Sequence, residues 1–151
     1  MVIVMNKSFI LPLFLAILLG FLSAKIVYAI YNPKSEENYN SYFVQSGVYS
    51  NENVLKEEIK KLKAYTLIKE NNKTYVYVGI STNLENANKI KEAYQKMGIN
   101  TYIKKRNISS IEFLRNLEQY DILVNSVSKE EDLISILNVI LSTYEENLQT
   151  N

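Results

Sequence analysis

One pattern of residues occurs twice in this chain, thirty-two positions apart. Residues 44–51 (VQSGVYSN) align with residues 76–83 (VYVGISTN), and each copy runs from a β-rich segment through a glycine to a polar helix start. Apolar residues then recur at helical spacing, at Leu55, Ile59 and Leu62 in the first copy and at Ala87, Ile90, Tyr94 and Met97 in the second. Each copy therefore predicts a strand and an amphipathic helix, and residues 65–69 and 101–105 follow as closing strands.

Two such units in tandem predict an α+β fold. The compact form is an RNP-like βαβ-βαβ arrangement, a four-stranded antiparallel sheet with both helices on one face. We expect residues 70–73 (ENNK) to form the turn between the units. Thr82 with Glu85 reads as a capping box at the start of the second helix, and Gly98 ends that helix where a left-handed residue is needed.

Alternation along the strands assigns residues to the two faces of the predicted sheet. The apolar set, expected beneath the helices, comprises Val44, Val48, Val76, Val78, Ile80 and Ile103. The opposite set supplies the candidate binding residues, which are Phe43, Gln45, Tyr49, Tyr75, Tyr77, Tyr102 and Lys104. Aromatic residues suit strands in general, so an ordinary amphipathic sheet is one interpretation. The convergence of five rings and an amide on one surface favours the other, a binding site.

The same residues resemble the SPOR domain, a small repeat domain of bacterial envelope proteins. The family's first strand, aromatic-Val-Gln-x-Gly-x-aromatic, is matched by residues 42–50 (YFVQSGVYS). The second copy is matched by residues 75–80 (YVYVGI), by 85–87 (ENA) at the helix start and by 98–103 (GINTYI). The resemblance covers residues 42–106, the SPOR-like domain.

The resemblance implies binding to septal peptidoglycan, specifically to glycan strands stripped of their stem peptides, through the open sheet face. It also implies a role in cell division, sporulation or cell-wall remodelling. The chemistry of the candidate residues agrees with this. Sugar rings offer apolar faces that stack on aromatic side chains, and their hydroxyls and amides need side-chain partners such as Gln45.

The formal net charge of +1 conceals two segments of opposite sign. Residues 42–106 contain twelve Lys or Arg and six Glu, whereas residues 107–151 contain two basic and eight acidic residues. Removal of the stem peptides leaves free lactyl carboxylates on a glycan strand, so the basic domain is attracted to it over long range. Lys104, Lys105 and Arg106 on the fourth strand are candidate contributors, although charged residues at the end of a strand more often form a solvated face than contact a ligand.

The N-terminal segment, residues 1–31, is predicted to be a membrane anchor. Residues 9–30 form an apolar stretch that only Lys25 interrupts, and it is long enough for a transmembrane helix. A signal peptide cleaved after residues 27–29 (VYA) is the alternative, but the apolar tail beyond Lys25 favours an uncleaved anchor. Either way, the polar linker of residues 32–41 and all that follows lie outside the cytoplasm. The expected localisation is the cell membrane, single-pass, with a cytoplasmic N-terminus.

Residues 107–151 are predicted to form an acidic extension of two helices. Capping boxes begin at Ser109 and Ser128, and the second helix has an apolar stripe wide enough to require burial. Three destinations are open for these helices. They pack beside the sheet or on its edge, they dock an envelope protein, or they cover the open sheet face. In the last case the face is closed to a glycan.

The composition argues against catalysis and against a metal site. The chain has no Cys, His or Trp, which removes thiol and imidazole nucleophiles and the usual zinc ligands. Glu57 and Glu58 are neighbours on an exposed helix and do not form a facing pair of carboxylates. We therefore expect a non-enzymatic protein without a cofactor or metal.

Two other classes of function share part of this pattern. An extracytoplasmic adaptor, recruiting a cell-envelope enzyme through the domain or its C-terminal helices, is the main alternative. RNA-recognition modules also combine βαβ-βαβ topology with aromatic residues on the sheet. Their Gly- and Phe-rich strand with a leading basic residue is absent, and the export signal argues against them. The expected partners are glycan strands, the membrane and an envelope protein at the C-terminal helices, with no nucleic acid.

Overall fold

The computed structural model describes residues 40–149, together with Gly20. The chain divides into two units, Met1–Glu37 and Asn38–Asn151, and the second contains the following elements. In chain order these are β1 (Asn40–Tyr49), α1 (Glu52–Ile59), β2 (Thr66–Glu70), β3 (Lys73–Ser81), α2 (Leu84–Lys96), β4 (Tyr102–Asn107), α3 (Ile111–Ser126) and α4 (Glu130–Gln149). The predicted anchor lies outside the described residues except for Gly20, and so does most of the predicted linker. Within the described part of the chain, no helix is both long and apolar enough to cross a membrane.

The four strands form one antiparallel sheet in the order β2-β3-β1-β4. The first strands of the two repeats, β1 and β3, are therefore the central pair, and the closing strands β2 and β4 are the edges. β2 pairs only with residues 73–77, so the end of β3 extends beyond it. This sheet with its four helices is the α+β fold expected from the sequence.

The hairpin between β2 and β3 depends on two asparagines. Asn71 and Asn72 have φ angles of +51° and +60°. Two consecutive left-handed residues are what a type I′ turn requires, and asparagine adopts this conformation more readily than most residues. The predicted turn at residues 70–73 is confirmed.

Equivalent asparagines begin the first two helices. Oδ1 of Asn51 accepts hydrogen bonds from the backbone N–H groups two and three residues later, at 2.9 and 3.3 Å. Oδ1 of Asn83 accepts one from the backbone N–H of Glu85, at 2.7 Å. The cap of α2 is thus Asn83 and not the predicted Thr82. Gly98, with a φ of +79°, follows the end of α2 in the left-handed conformation, as predicted.

The two central strands are not in simple register. Shifts occur between Val44 and Gln45 and again between Gln45 and Gly47. An extra residue in one strand reverses the face to which the side chains beyond it point. Phe43 precedes both shifts in β1 and pairs with Ile80. Because cross-strand partners share a face, the side chain of Ile80 lies on the face of Phe43 and not on that of Val44. This corrects the predicted assignment of Ile80.

Tyr49 lies beyond both shifts. Its cross-strand partner is Thr74, whereas Val48 is the partner of Tyr75. Because paired residues point to the same side of a sheet, Tyr49 and Tyr75 point to opposite faces. The prediction that Tyr49 shares the aromatic face is therefore wrong. Val48 was expected beneath the helices, but its side chain is exposed.

The helices α1 and α2 lie on the face of Val44. Gly79, the partner of Val44, faces α2, and a Cβ atom at this position would come within 2.8 Å of Cγ2 of Ile90. The missing side chain allows this close approach of helix and sheet. The hydroxyl of Tyr94 donates a hydrogen bond to the carbonyl oxygen of Ala64 at 2.9 Å, which ties α2 to the segment before β2.

The remaining helices form the C-terminal hairpin, residues 111–149. α3 is capped by Ser110, whose Oγ accepts a hydrogen bond from the backbone N–H of Phe113 at 3.2 Å, and α4 begins at Glu130. The predicted starts were Ser109 and Ser128. Buried residues of the hairpin belong to the same hydrophobic core as the sheet; they include Leu117, Val124, Leu133, Leu137, Ile140 and Leu141. The hairpin is therefore an integral part of the folded domain.

Candidate functional site

Six of the seven candidate residues lie on one face of the sheet. We call these six the aromatic face: Phe43, Gln45, Tyr75, Tyr77, Tyr102 and Lys104. Gln45 pairs with Tyr77 on one side and with Tyr102 on the other, and Phe43 pairs with Lys104. Since cross-strand partners share a face, the strand order brings together residues from β1, β3 and β4.

Direct ring contacts connect part of this face. Phe43 and Tyr77 meet edge to face, with ring centroids 5.1 Å apart and planes at 74°. Tyr75 and Tyr77 stack in nearly parallel planes, with centroids 6.4 Å apart. Both arrangements are favourable for aromatic pairs. The three rings form a continuous surface over β1 and β3.

The C-terminal hairpin covers the inner part of the aromatic face. The ring of Tyr144 on α4 lies 5.4 Å from that of Phe43, and Phe113 on α3 lies 5.2 Å from Tyr144. The exposed fractions of Phe43, Tyr77 and Gln45 are only 0%, 1% and 8%. Of the three destinations considered for the helices, covering of the sheet face is the one observed. The expectation of an open face is wrong for these three residues.

The outer part of the aromatic face is accessible. Tyr102 on the edge strand β4 is 61% exposed, and Lys104, two residues later on the same side of the strand, is also exposed. Tyr75 is half-buried. The accessible groups are therefore one exposed ring, one half-buried ring and an ammonium group.

Arg106 brings a cation to the covered part of the face. Its guanidinium carbon lies 5.7 Å from the ring centroid of Phe43 and 5.6 Å from that of Tyr77, within cation–π range. Nη1 donates a hydrogen bond to the hydroxyl of Tyr77 at 2.8 Å, and Nη2 forms an ion pair with Glu70. Burial acts to lower the pKa of Arg106, but its bonds with Glu70 and Tyr77 outweigh this and raise it. The sequence indicated the charge but not these partners.

Tyr49 belongs to a different site on the opposite face. It lines a cavity of about 230 Å³ together with Glu58 and Lys61 of the α1 region. Burial raises the pKa of the Tyr49 hydroxyl, and the nearby carboxylate of Glu58 raises it further, while Lys61 lowers it. Tyr49 therefore makes no contribution to the aromatic face.

Sequence reasoning missed the role of Asp121, a buried carboxylate on α3. Its oxygens accept hydrogen bonds from Oγ of Ser81, from the backbone N–H and hydroxyl of Thr82 at 2.8 and 2.6 Å, and from Nδ2 of Asn86 at 3.0 Å. These bonds fasten the C-terminal hairpin to the end of β3 and the start of α2. The available signal was an acidic residue at helical spacing within an apolar stripe, after Leu117.

Lys89 on α2 fastens the C-terminal end of α3. Its ammonium group donates hydrogen bonds to the carbonyl oxygens of Val124 at 2.6 Å, Asn125 at 3.0 Å and Val127 at 2.5 Å. Carbonyl groups at a helix C-terminus lack partners within the helix, and a cation there also complements the helix dipole. Two polar attachments thus hold α3 in place beside the apolar core.

Within residues 40–149, no three acidic side chains are grouped closely enough to hold a metal ion. The described residues define a small α+β domain whose aromatic sheet face is half covered by a helical hairpin of its own chain. Comparisons with protein-family models, curated proteins and solved structures give no match to this chain. The resemblance to the SPOR domain therefore depends on the sequence patterns given above.

Proposed function

We propose that this protein is a non-enzymatic, membrane-anchored peptidoglycan-binding protein. Its ligand is a glycan strand without stem peptides, at the division septum or during sporulation or cell-wall remodelling. The observation that supports this most is the aromatic face, where residues from three strands combine rings, an amide and an ammonium group. Sugar rings stack on exposed aromatic side chains such as Tyr102, and charged groups of the sugar pair with an ammonium group such as that of Lys104.

The accessible part of the face suits the first contact with a strand. A sugar ring stacks on Tyr102, and a lactyl carboxylate pairs with Lys104 on the same side of β4. Tyr75 extends the surface toward β3. The excess of positive charge over residues 42–106 adds long-range attraction to a polymer of carboxylates.

The connectivity agrees with the same proposal. The chain contains two βαβ units with the strand order β2-β3-β1-β4, and α1 and α2 lie opposite the aromatic face. This is the RNP-like arrangement that the SPOR resemblance implies. The proposal includes the N-terminal transmembrane helix over residues 1–31 and an extracytoplasmic domain. Both of these rest on the sequence.

Purified cell-wall sacculi, before and after amidase digestion, provide the test. The full chain in detergent is expected to bind amidase-treated sacculi at least about tenfold more tightly than untreated ones. The variant Tyr102→Ala/Lys104→Ala is expected to lose this preference. A matched control, Tyr65→Ala/Lys96→Ala, removes an exposed tyrosine and an exposed lysine elsewhere and is expected to keep it. Equal binding of the unchanged chain to both kinds of sacculi would contradict the proposal.

Localisation in cells provides a second test. A fluorescent protein fused to the N-terminus of the full chain is expected to form a band at the septum. Tyr102→Ala/Lys104→Ala is expected to spread the signal over the whole envelope at unchanged protein level. A uniform signal from the unchanged chain would count against a septal ligand.

A second candidate function is an adaptor for an envelope enzyme. Ile122 and Leu123 on α3 favour it, since these adjacent apolar side chains are 70% and 48% exposed. A photo-crosslinker at Gln119, one turn earlier, is then expected to trap one envelope protein in cells. Ile122→Asp/Leu123→Asp is expected to abolish the product, and Tyr102→Ala/Lys104→Ala to preserve it. A product that survives the aspartates would exclude this surface.

A further inference from the structure

Four side chains of the sheet form one group. They are Tyr77 and three neighbours of its side chain: Phe43, Thr66 and Arg106. Phe43 meets the ring edge to face at 5.1 Å, and Arg106 donates to its hydroxyl at 2.8 Å. Thr66 is its cross-strand partner on β2. Together they offer an aromatic surface, a cation and a hydroxyl group.

Two consecutive residues of α4, Tyr144 and Glu145, contact this group of side chains. The ring of Tyr144 packs edge to face on Phe43 at 5.4 Å, and Oε1 of Glu145 accepts a hydrogen bond from Oγ1 of Thr66 at 2.6 Å. The chain thus presents a six-membered ring next to a carboxylate. A muramyl residue without its stem peptide presents the same pair, a pyranose ring and a free lactyl carboxylate.

We infer that Phe43, Thr66 and Arg106 form a subsite for one carboxylate-bearing sugar, and that Tyr144 and Glu145 compete with the sugar for it. This inference rests on the proposed function and adds a condition to it. The sugar reaches the subsite only when the last two turns of α4, residues 142–149, move away. Tyr102 and Lys104 remain accessible in either state.

The chemistry of the subsite explains a preference for denuded strands. A stem peptide is joined to the lactyl carboxyl as an amide, which removes the negative charge. The guanidinium of Arg106 attracts a free carboxylate more strongly than an amide, although the ion pair with Glu70 already offsets part of its charge. The hydroxyl of Thr66, which donates to a carboxylate in the structure, favours an acceptor at the same place.

The last two turns of α4 have features that weaken a helix end. Glu145 and Glu146 place negative charge near the negative end of the helix dipole, and the last turn contains no basic residue. Local unfolding at such an end needs less free energy than opening of a whole core element, although it also withdraws the ring of Tyr144 from the core. The rest of the hairpin stays in place, since Leu133, Leu137 and Ile140 are in the core and Asp121 anchors α3.

Paired cysteines allow the end of α4 to be locked, because the chain contains no cysteine of its own. Oγ of Ser110 lies 2.9 Å from Oδ1 of Asn147. In the full chain, Ser110→Cys/Asn147→Cys joined by a short cleavable bis-maleimide holds the last turn without altering the subsite. The control is Lys63→Cys/Glu130→Cys, whose native side chains are 3.2 Å apart at the start of α4.

Binding of each protein in detergent to amidase-treated sacculi is then measured with the link intact and after its cleavage. The 110–147 link is expected to weaken binding about tenfold, with recovery on cleavage, and the 63–130 link to leave binding unchanged. Unchanged binding with the 110–147 link, or a loss that cleavage does not reverse, overturns the inference and leaves the proposed function standing. No binding of denuded strands by the unchanged chain overturns both.

Amide hydrogen exchange supplies a second readout on the unchanged chain. Soluble denuded glycan is expected to speed exchange in residues 142–149 while residues 130–141 keep their protection. Slower exchange, or no change, in 142–149 at saturating glycan would mean that the ligand binds without displacing the helix end, and the inference would fail.

Discussion

Nη1 of Arg106 on β4 donates a hydrogen bond to the hydroxyl of Tyr77 on β3, at a distance of 2.8 Å. Nη2 of the same guanidinium forms an ion pair with Glu70 on β2. Since β2 and β4 are the two edges of the sheet, one side chain connects elements that share no backbone hydrogen bond. The covered part of the aromatic face is thereby held together by polar as well as apolar contacts.

Replacement of Arg106 tests this connection. Arg106→Ala leaves the hydroxyl of Tyr77 and the carboxylate of Glu70 without their partner, so we expect a loss of about 1–3 kcal/mol in the free energy of unfolding. Urea denaturation of the purified chain measures this loss. Lys104→Ala, an exposed cation two residues earlier on the strand, is the control and is expected to change stability by less than about 0.5 kcal/mol. Equal effects of the two variants would show that the guanidinium contacts contribute nothing specific.

Replacement of Asp121 tests the attachment of the hairpin. Asp121→Asn keeps the shape but turns one acceptor into a donor that faces the hydroxyl and N–H groups of Ser81 and Thr82. We expect a loss of about 2–3 kcal/mol, because charge-assisted bonds are lost and a buried donor is left without an acceptor.

Glu118→Gln, an exposed change of the same kind on α3, is the matched control for this experiment and is expected to be near neutral. Urea denaturation followed by circular dichroism compares the two variants. If Asp121→Asn were as stable as the unchanged chain, the buried carboxylate would not be what fastens α3 to the sheet.

Local signals in the sequence predicted the elements of the fold well. The repeat placed four strands and two helices, and the asparagine turn at residues 70–73 and Gly98 were recognised because each meets a backbone requirement within a few residues. The assignment of Tyr49 failed because the shift after Gln45 depends on how β1 pairs with β3, which alternation within one strand does not reveal.

The sequence pattern also did not predict the surface on which the C-terminal hairpin packs. The apolar stripe of α4 indicated that the helix is buried, but not against which surface. The observed choice depends on Tyr144 meeting Phe43, residues about a hundred positions apart, and on Asp121 meeting the end of β3. Contacts of this kind follow from three-dimensional shape. The sequence therefore placed six candidate residues on one face, but left the covering of that face as one of three open alternatives.

Gly79 provides a test of the packing between sheet and helix. In Gly79→Ala, the new Cβ atom would lie 2.8 Å from Cγ2 of Ile90, closer than side chains tolerate. We expect a loss of about 1–3 kcal/mol from overpacking. In an Ile90→Ala background the same change is expected to cost clearly less, because the clashing methyl group is gone. A double-mutant cycle by urea denaturation measures this coupling, and additive effects would argue against the contact.

The buried hydroxyl of Tyr94 predicts how stability changes at alkaline pH. Burial raises the pKa of Tyr94 well above its ordinary value, so the folded chain keeps this proton when the unfolded chain releases it near pH 10. Below about pH 10 both states hold the proton and the free energy of unfolding is unaffected. Above about pH 10, ionisation of this tyrosine in the unfolded chain lowers the free energy of unfolding by about 1.4 kcal/mol per pH unit.

Tyr94→Phe removes the ionisable hydroxyl group and with it part of the loss of stability at alkaline pH. Its stability at neutral pH is expected to fall by about 1 kcal/mol, since the hydrogen bond to Ala64 is lost. Between about pH 10 and 11.5 its free energy of unfolding is expected to decline less steeply than that of the unchanged chain, although Tyr49 and Tyr144, whose pKa values burial also raises, maintain some decline. Urea denaturation at each pH, with tyrosinate absorbance to follow ionisation, measures both slopes. Parallel curves would mean that Tyr94 ionises alike in the folded and unfolded states, in conflict with its burial beneath the sheet.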